Sequence, residues 1–112
     1  MQNLLEQKNE TKGKIMIKYN HGILKLVSEE TGVPLKMIQG HCRKKGIVMA
    51  RDLYVNILYR CLQKSEDEIS RSLAISREAV HRAKTRHKKR MTTNRLYNTF
   101  YENIMEIAGY AS

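Results

Sequence analysis

The stretch SEDEISRSLAISREAVHRAKTRHKKR, residues 65–90, decides the fold of this chain. Ser65 and Glu68 form the S-x-x-E pattern of a capping box, in which each side chain satisfies an orphan backbone N–H at a helix start. Ile69 and Leu73 follow four apart, on one face of that helix. Ala74 is small where the chain must turn sharply, and Ile75 is apolar at the elbow. Ser76 is placed to cap a second helix through its hydroxyl. On that helix Val80 and Ala83 face inward, while Arg77, His81, Arg82, Lys84 and Arg86 fall largely elsewhere. Apolar positions 69, 73, 75, 80 and 83, with small residues at 70 and 74, fit a helix-turn-helix, a unit whose second helix enters the DNA major groove.

Outward from this pair, the apolar spacing predicts further helices. Ile23, Leu24 and Val27 make a stripe over about 21–31, and Gly32 is a C-terminal cap. Pro34 suits the first position of a short helix that turns Leu35 and Ile38 inward. Gly40 and Gly46 bracket a loop holding His41, Cys42, Arg43, Lys44 and Lys45. The longest helix is expected from about Ile47 to Leu62, with Ile47, Ala50, Tyr54, Ile57, Leu58 and Cys61 near 3.6-residue spacing. A last helix, about 95–107, presents Leu96, Phe100, Ile104 and Ile107. The prediction is an all-α domain of about six short helices over 20–109, preceded by a flexible arm at 1–19 and followed by a tail at 110–112.

Charge is the second signal. The 112 residues carry a formal +10, of which residues 36–51 hold +5 without an acid and residues 77–90 hold +6, leaving −1 on everything else. A surface tuned for solubility intersperses the two signs, whereas two concentrated segments imply a polyanionic partner. A membrane surface fits poorly. No run approaches the roughly 20 apolar residues of a spanning helix, and the 77–90 helix offers only Val80 and Ala83 opposite its charge. Cys42 and Cys61 make no disulfide framework, and His41 beside Cys42 has no second ligand pair at zinc spacing. Reduced cysteines, a cytoplasmic setting at the nucleoid, and neither metal nor cofactor are the expectation.

With basic loop, long helix and helix-turn-helix in this order, the chain resembles the C-terminal DNA-binding domain of the bacterial chromosomal replication initiator, DnaA. The likeness starts at Val27, Glu29 and the Gly32-Val33 turn. It is closest over Arg43-Lys44-Lys45-x-Ile47-Val48-x-Ala50-Arg51, and it continues through Ser65, Glu68-Ile69, Arg71, Val80 and Ala83. It covers about residues 21–108. The resemblance implies that Arg43, Lys44 and Lys45 take the role of the family's basic loop at the minor groove and backbone, while the recognition helix reads bases in the major groove. A narrow A·T-rich minor groove suits that role, because its enhanced negative potential attracts inserted Arg or Lys.

The departures from that family are specific. Its Asp-His-Thr-Thr run is replaced by Ser76, Arg77, Glu78 and Ala79, and its glycine pair at the turn by Ala74 and Ile75. The DnaA box is therefore not the expected target, although the docking mode survives. The chain also contains no G-x-x-x-x-G-K-[S/T] phosphate loop.

Arg77, Glu78, His81 and Arg82 occupy the first turn and a half of the recognition helix and are the expected base contacts. Arg bridges guanine O6 and N7, and Glu accepts from cytosine N4. Glu78 alternatively complements the helix dipole or pairs with Arg82 on the surface. Arg43, Lys44, Lys45, Arg51, Ser76, Lys84, Thr85, Arg86, Lys88, Lys89 and Arg90 are expected on the backbone or minor groove. For Arg51, phosphate contact competes with a salt bridge to Asp52 or Glu68, and Ser76 is a cap first. Tyr54, Tyr59, Tyr97 and Tyr101 read as core or boundary residues. The function expected is sequence-specific double-stranded DNA binding by a small transcription or replication regulator. The alternative is a protein-interaction module that keeps the scaffold and binds a replication or transcription partner. No nucleophile has an activating context, so an enzyme is not expected.

Overall fold

The computed structural model describes residues 20–110, so the expected arm at 1–19 and the last two residues of the tail lie outside the described residues. Six helices follow one another: α1 Asn20–Thr31, α2 Leu35–Ile38, α3 Lys45–Arg60, α4 Glu66–Leu73, α5 Arg77–Thr93 and α6 Arg95–Ala108. No strand occurs among the described residues, and the fold is all-α, as the apolar spacing predicts. The centre is α3, buried without a break from Ala50 to Leu58. A helix covered on every side needs neighbours all round, and each of the other five helices packs against it.

Local chemistry sets the boundaries. Gly32, at φ 77°, closes α1 and donates its N–H to the Ser28 carbonyl at 2.8 Å. Pro34 stands one place earlier than expected. Its ψ of 144° keeps it outside the helix as N-cap, while its carbonyl accepts from Met37 and Ile38. In the same way the Lys44 carbonyl accepts from Ile47 and Val48, so α3 begins at Lys45 rather than Ile47. On α6 the expected apolar stripe is rotated. Tyr97, Ile104 and Ala108 are buried, Phe100 and Ile107 are half-buried, and Leu96 is 55% exposed. Asn94 caps α6 by accepting from the Tyr97 N–H at 3.0 Å, and the buried stripe runs through Tyr97, Ile104 and Ala108, at spacings of seven and four residues.

The decisive pair forms as read. The Ser65 hydroxyl accepts from the Glu68 N–H at 3.1 Å, and the Glu68 carboxylate accepts from the Ser65 N–H at 3.3 Å. Ala74 ends α4 in the left-handed region at φ 58°, with the Ile75 N–H returning to the Ser70 carbonyl at 3.1 Å. A residue with a Cβ is disfavoured there by roughly 1–2 kcal/mol. Half-buried Ile75, packed against the core, holds the elbow in place. Ser76 then caps α5 by accepting from the Ala79 N–H at 3.1 Å.

Candidate nucleic-acid interface

With 17 residues, α5 is about 25 Å long. Val80, Ala83 and His87 bury its inner face. Steps of about 100° per residue then place Glu78, Arg82, Thr85 and Lys89 in one row on the opposite side, and all four are exposed. Arg77, His81 and Lys88 follow one flank of that row and are exposed too, while Arg86 and Arg90 follow the other. No ion pair joins Glu78 to Arg82. The Ser76 hydroxyl is engaged as a cap, and the Thr85 hydroxyl donates to the His81 carbonyl of its own helix at 2.9 Å.

The basic loop lies beside this helix. Arg43, Lys44 and Lys45 are all exposed. Arg51, expected at the phosphate backbone or in an ion pair, forms no ion pair with Asp52 or Glu68. It is 9% exposed and turns inward, donating Nε to the Ile38 carbonyl at 2.7 Å, Nη1 to Cys42 at 2.8 Å and Nη2 to Met37 at 3.0 Å. Three backbone carbonyls bridging α2 and the loop converge on one rigid fork of donors, so Arg51 sets the loop's shape from the floor of the groove. The loop and α5 enclose a groove of about 240 Å³, lined by His41 and Arg43 on one side and by Ile75, Ala79, Arg82 and Arg86 on the other.

Two acids divide the remaining cations. Asp52, 1% exposed, accepts from Arg86 Nε and Nη2 and from Arg90 Nε, each at 2.8 Å. This pairing, led by the hydrogen bonds to the carboxylate, raises the Arg86 pKa above its ordinary value. Arg86 still lines the groove, so it is fixed and presented together. Lys84, expected on the DNA backbone, is instead tied down at the start of α4. Its Nζ donates to Glu66 at 2.8 Å and lies 3.6 Å from the centre of the Tyr59 ring. Burial disfavours the Lys84 ammonium, but hydrogen bonds to Glu66 and Tyr59 outweigh it and raise its pKa. The Glu66 carboxyl is held below its ordinary range, first by Lys84 and then by His81, whose Nδ1 is 3.1 Å away.

Beneath α5 the tyrosines are structural. Tyr97 is buried, and its hydroxyl lies 2.8 Å from His87 Nδ1. Burial, and next the Arg60 charge, push the His87 imidazole down to about 4, and burial raises the Tyr97 phenol. The ring is therefore neutral near pH 7, and its Nδ1 shares one hydrogen bond with the phenol. Asn56 Nδ2 completes the cluster through the carbonyls of Asp52 at 2.8 Å and Ala83 at 3.1 Å.

The shared groove thus brings Arg43 of the loop together with Arg82 and Arg86 of α5, and Lys45 lines a neighbouring groove with Arg43 and Arg90. Arg77, His81 and Lys88 lie on the flank of α5 away from the shared groove, and Arg51 and Lys84 are engaged by partners within the protein. Sequence reasoning missed Asp52 as the organiser of two arginines. No spacing rule signals it, because Asp52 and Arg86 are 34 residues apart. Among the described residues, no group of three or more His, Cys, Asp or Glu side chains could hold a metal ion, and no helix is long and apolar enough to cross a membrane. No family model, curated protein or solved structure matches this chain.

Proposed function

We propose that this chain is a sequence-specific double-stranded DNA-binding protein, a small regulator of transcription or replication working at the nucleoid. The observation that carries the reading is the shared groove: Arg43 of the exposed basic loop faces Arg82 and Arg86 across it, on a basic helix whose outer row is exposed. In this reading α4 and α5 act as a DnaA-like helix-turn-helix. The major groove is about 12 Å wide and α5 is about twice that in length, so only part of the helix lies within it. Arg77, Glu78, His81 and Arg82 meet base edges, Arg86 and Lys89 meet the flanking phosphates, and Arg43, Lys44 and Lys45 reach the adjacent minor groove or backbone.

The test is selection from a random duplex pool at near-physiological salt. An enriched motif supports sequence-specific binding. Retention without enrichment reduces the reading to phosphate gripping. No retention at low salt overturns it and favours the protein-interaction alternative. Replacing Arg77 is expected to relax the motif, whereas replacing Lys88 and Lys89 weakens all sequences alike.

A further inference from the structure

Leu96 carries the largest exposed fraction of any large apolar side chain among the described residues, at 55%, and it stands amid cations. It lines a groove of about 550 Å³ on the far side of the basic loop. Val48 and Met49 continue the apolar lining, and Arg43, Lys45 and Arg90 supply charge. Next to it, Lys89, Arg90 and Arg95 line a second depression at the α5–α6 junction. No acid lines either one. Arg95 is exposed and is the first residue of α6, whose first turn holds no acid. A cation there opposes the helix dipole, so Arg95 is poorly placed for stability alone.

We infer that the α5–α6 junction is a second seat for nucleic acid, holding the sugar-phosphate edge of the duplex beyond the base-reading row. The inference rests on the DNA-binding reading and extends its footprint. A sugar-phosphate edge alternates apolar deoxyribose with anionic phosphate, and this surface has the complementary alternation. Leu96, Val48 and Met49 take the sugar face, while Lys45, Arg90 and Arg95 take the phosphates. Continuity identifies the occupant as well as charge does, because Arg43 lines both this groove and the one facing α5.

The test compares Arg95→Gln, Leu96→Glu and the unaltered chain on a duplex that the unaltered chain retains, with folding checked by circular dichroism. Both side chains are exposed, so both variants should fold. Arg95→Gln should lower the slope of log affinity against log salt by about 0.9, the value of one phosphate contact. Leu96→Glu should weaken binding about tenfold and remove hydroxyl-radical protection at one end of the footprint, with the preferred motif unchanged. If the unaltered chain binds duplex and both variants match it in affinity, slope and footprint, the junction seat is wrong and the DNA reading stands. An unchanged footprint with an altered oligomeric state in Leu96→Glu would assign the surface to a second copy instead. If the unaltered chain binds no duplex at low salt, the DNA reading falls and takes this seat with it.

Discussion

Arg82 and Arg86 stand one turn apart on α5 and line the same groove, yet their situations are opposite. Arg86 gives two hydrogen bonds to a buried carboxylate, whereas Arg82 is exposed and belongs to no ion pair. The contrast extends along the helix. On the inner flank Arg86 and Arg90 share Asp52, and at the α4 end Lys84 is held by Glu66. On the outer row Arg82 and Lys89 are uncommitted. A charge of +6 over residues 77–90 is therefore two populations rather than one. The held arginines have little conformational freedom left to lose when a partner arrives, and the free ones can adjust to it.

The largest effect should come from the acid that creates the held population. Asp52→Ala leaves two guanidinium groups facing a buried site without their counter-charge, with the Arg51 guanidinium nearby. Breaking a buried pair on one side typically costs 3–5 kcal/mol. The lower end, about 3 kcal/mol, is expected here because Arg86 is partly exposed and can relax into water. Urea unfolding measures it; a loss under about 1 kcal/mol would mean that Asp52 does not anchor the flank.

Acid should separate the two faces next. The His87 imidazole titrates near 6.5 when unfolded and near 4 in the fold. Between those values the unfolded chain takes up the proton first, so the contribution is present above pH 6.5 and is lost as pH falls toward 4. About 2 kcal/mol should disappear between pH 7 and pH 5, in proportion to the pKa difference. Arg60 opposes protonation and Asp52 favours it, so both act on the same equilibrium. In His87→Gln the drop between pH 7 and pH 5 should largely vanish. A variant retaining the full drop would locate the titration elsewhere.

On the outer row, two neighbours should fail differently. Arg82→Ala should cost about 1–3 kcal/mol on the preferred duplex and relax the motif at one position, as expected for a side chain bonded to a base. Lys89→Ala should weaken every duplex and lower the salt slope by about 0.9. Stability should barely move in either, since both side chains are exposed. Equal loss on all sequences for Arg82→Ala would move it from base reading to phosphate contact.

Periodicity and capping made much of the fold legible. The S-x-x-E box, Gly32 and the spacing of the apolar residues on α3 each specify a structure within a few residues, and each appears. Leu96 is assigned to the core by spacing alone because the stripes through Leu96 and through Tyr97 share Ile104, and the structure buries the second. Exposure on the outer row of α5 was legible for the same reason as the core. What no local pattern reveals is which cations acquire a partner: Arg51 turns to carbonyls 9 to 14 residues away, and Arg86 and Arg90 to an acid 34 and 38 residues away. Charge composition sees the excess but not its division.

The smallest effect sharpens the comparison by altering the turn while sparing both faces. Ala74 holds a left-handed conformation at φ 58° that glycine adopts without penalty. Ala74→Gly removes about 1–2 kcal/mol of backbone strain and adds back about 0.5–1 kcal/mol of unfolded-state entropy. The net expectation is a gain of about 0.5 kcal/mol, or a rise of roughly 2–4 °C in Tm for a domain of this size. Affinity for the retained duplex should stay the same, because Ile75 against the core and the Ser76 cap both remain to set the direction of α5. A stabilised variant with weakened binding would show that the strained alanine itself fixes the angle between α4 and α5, and that the outer row cannot be treated apart from the turn that aims it.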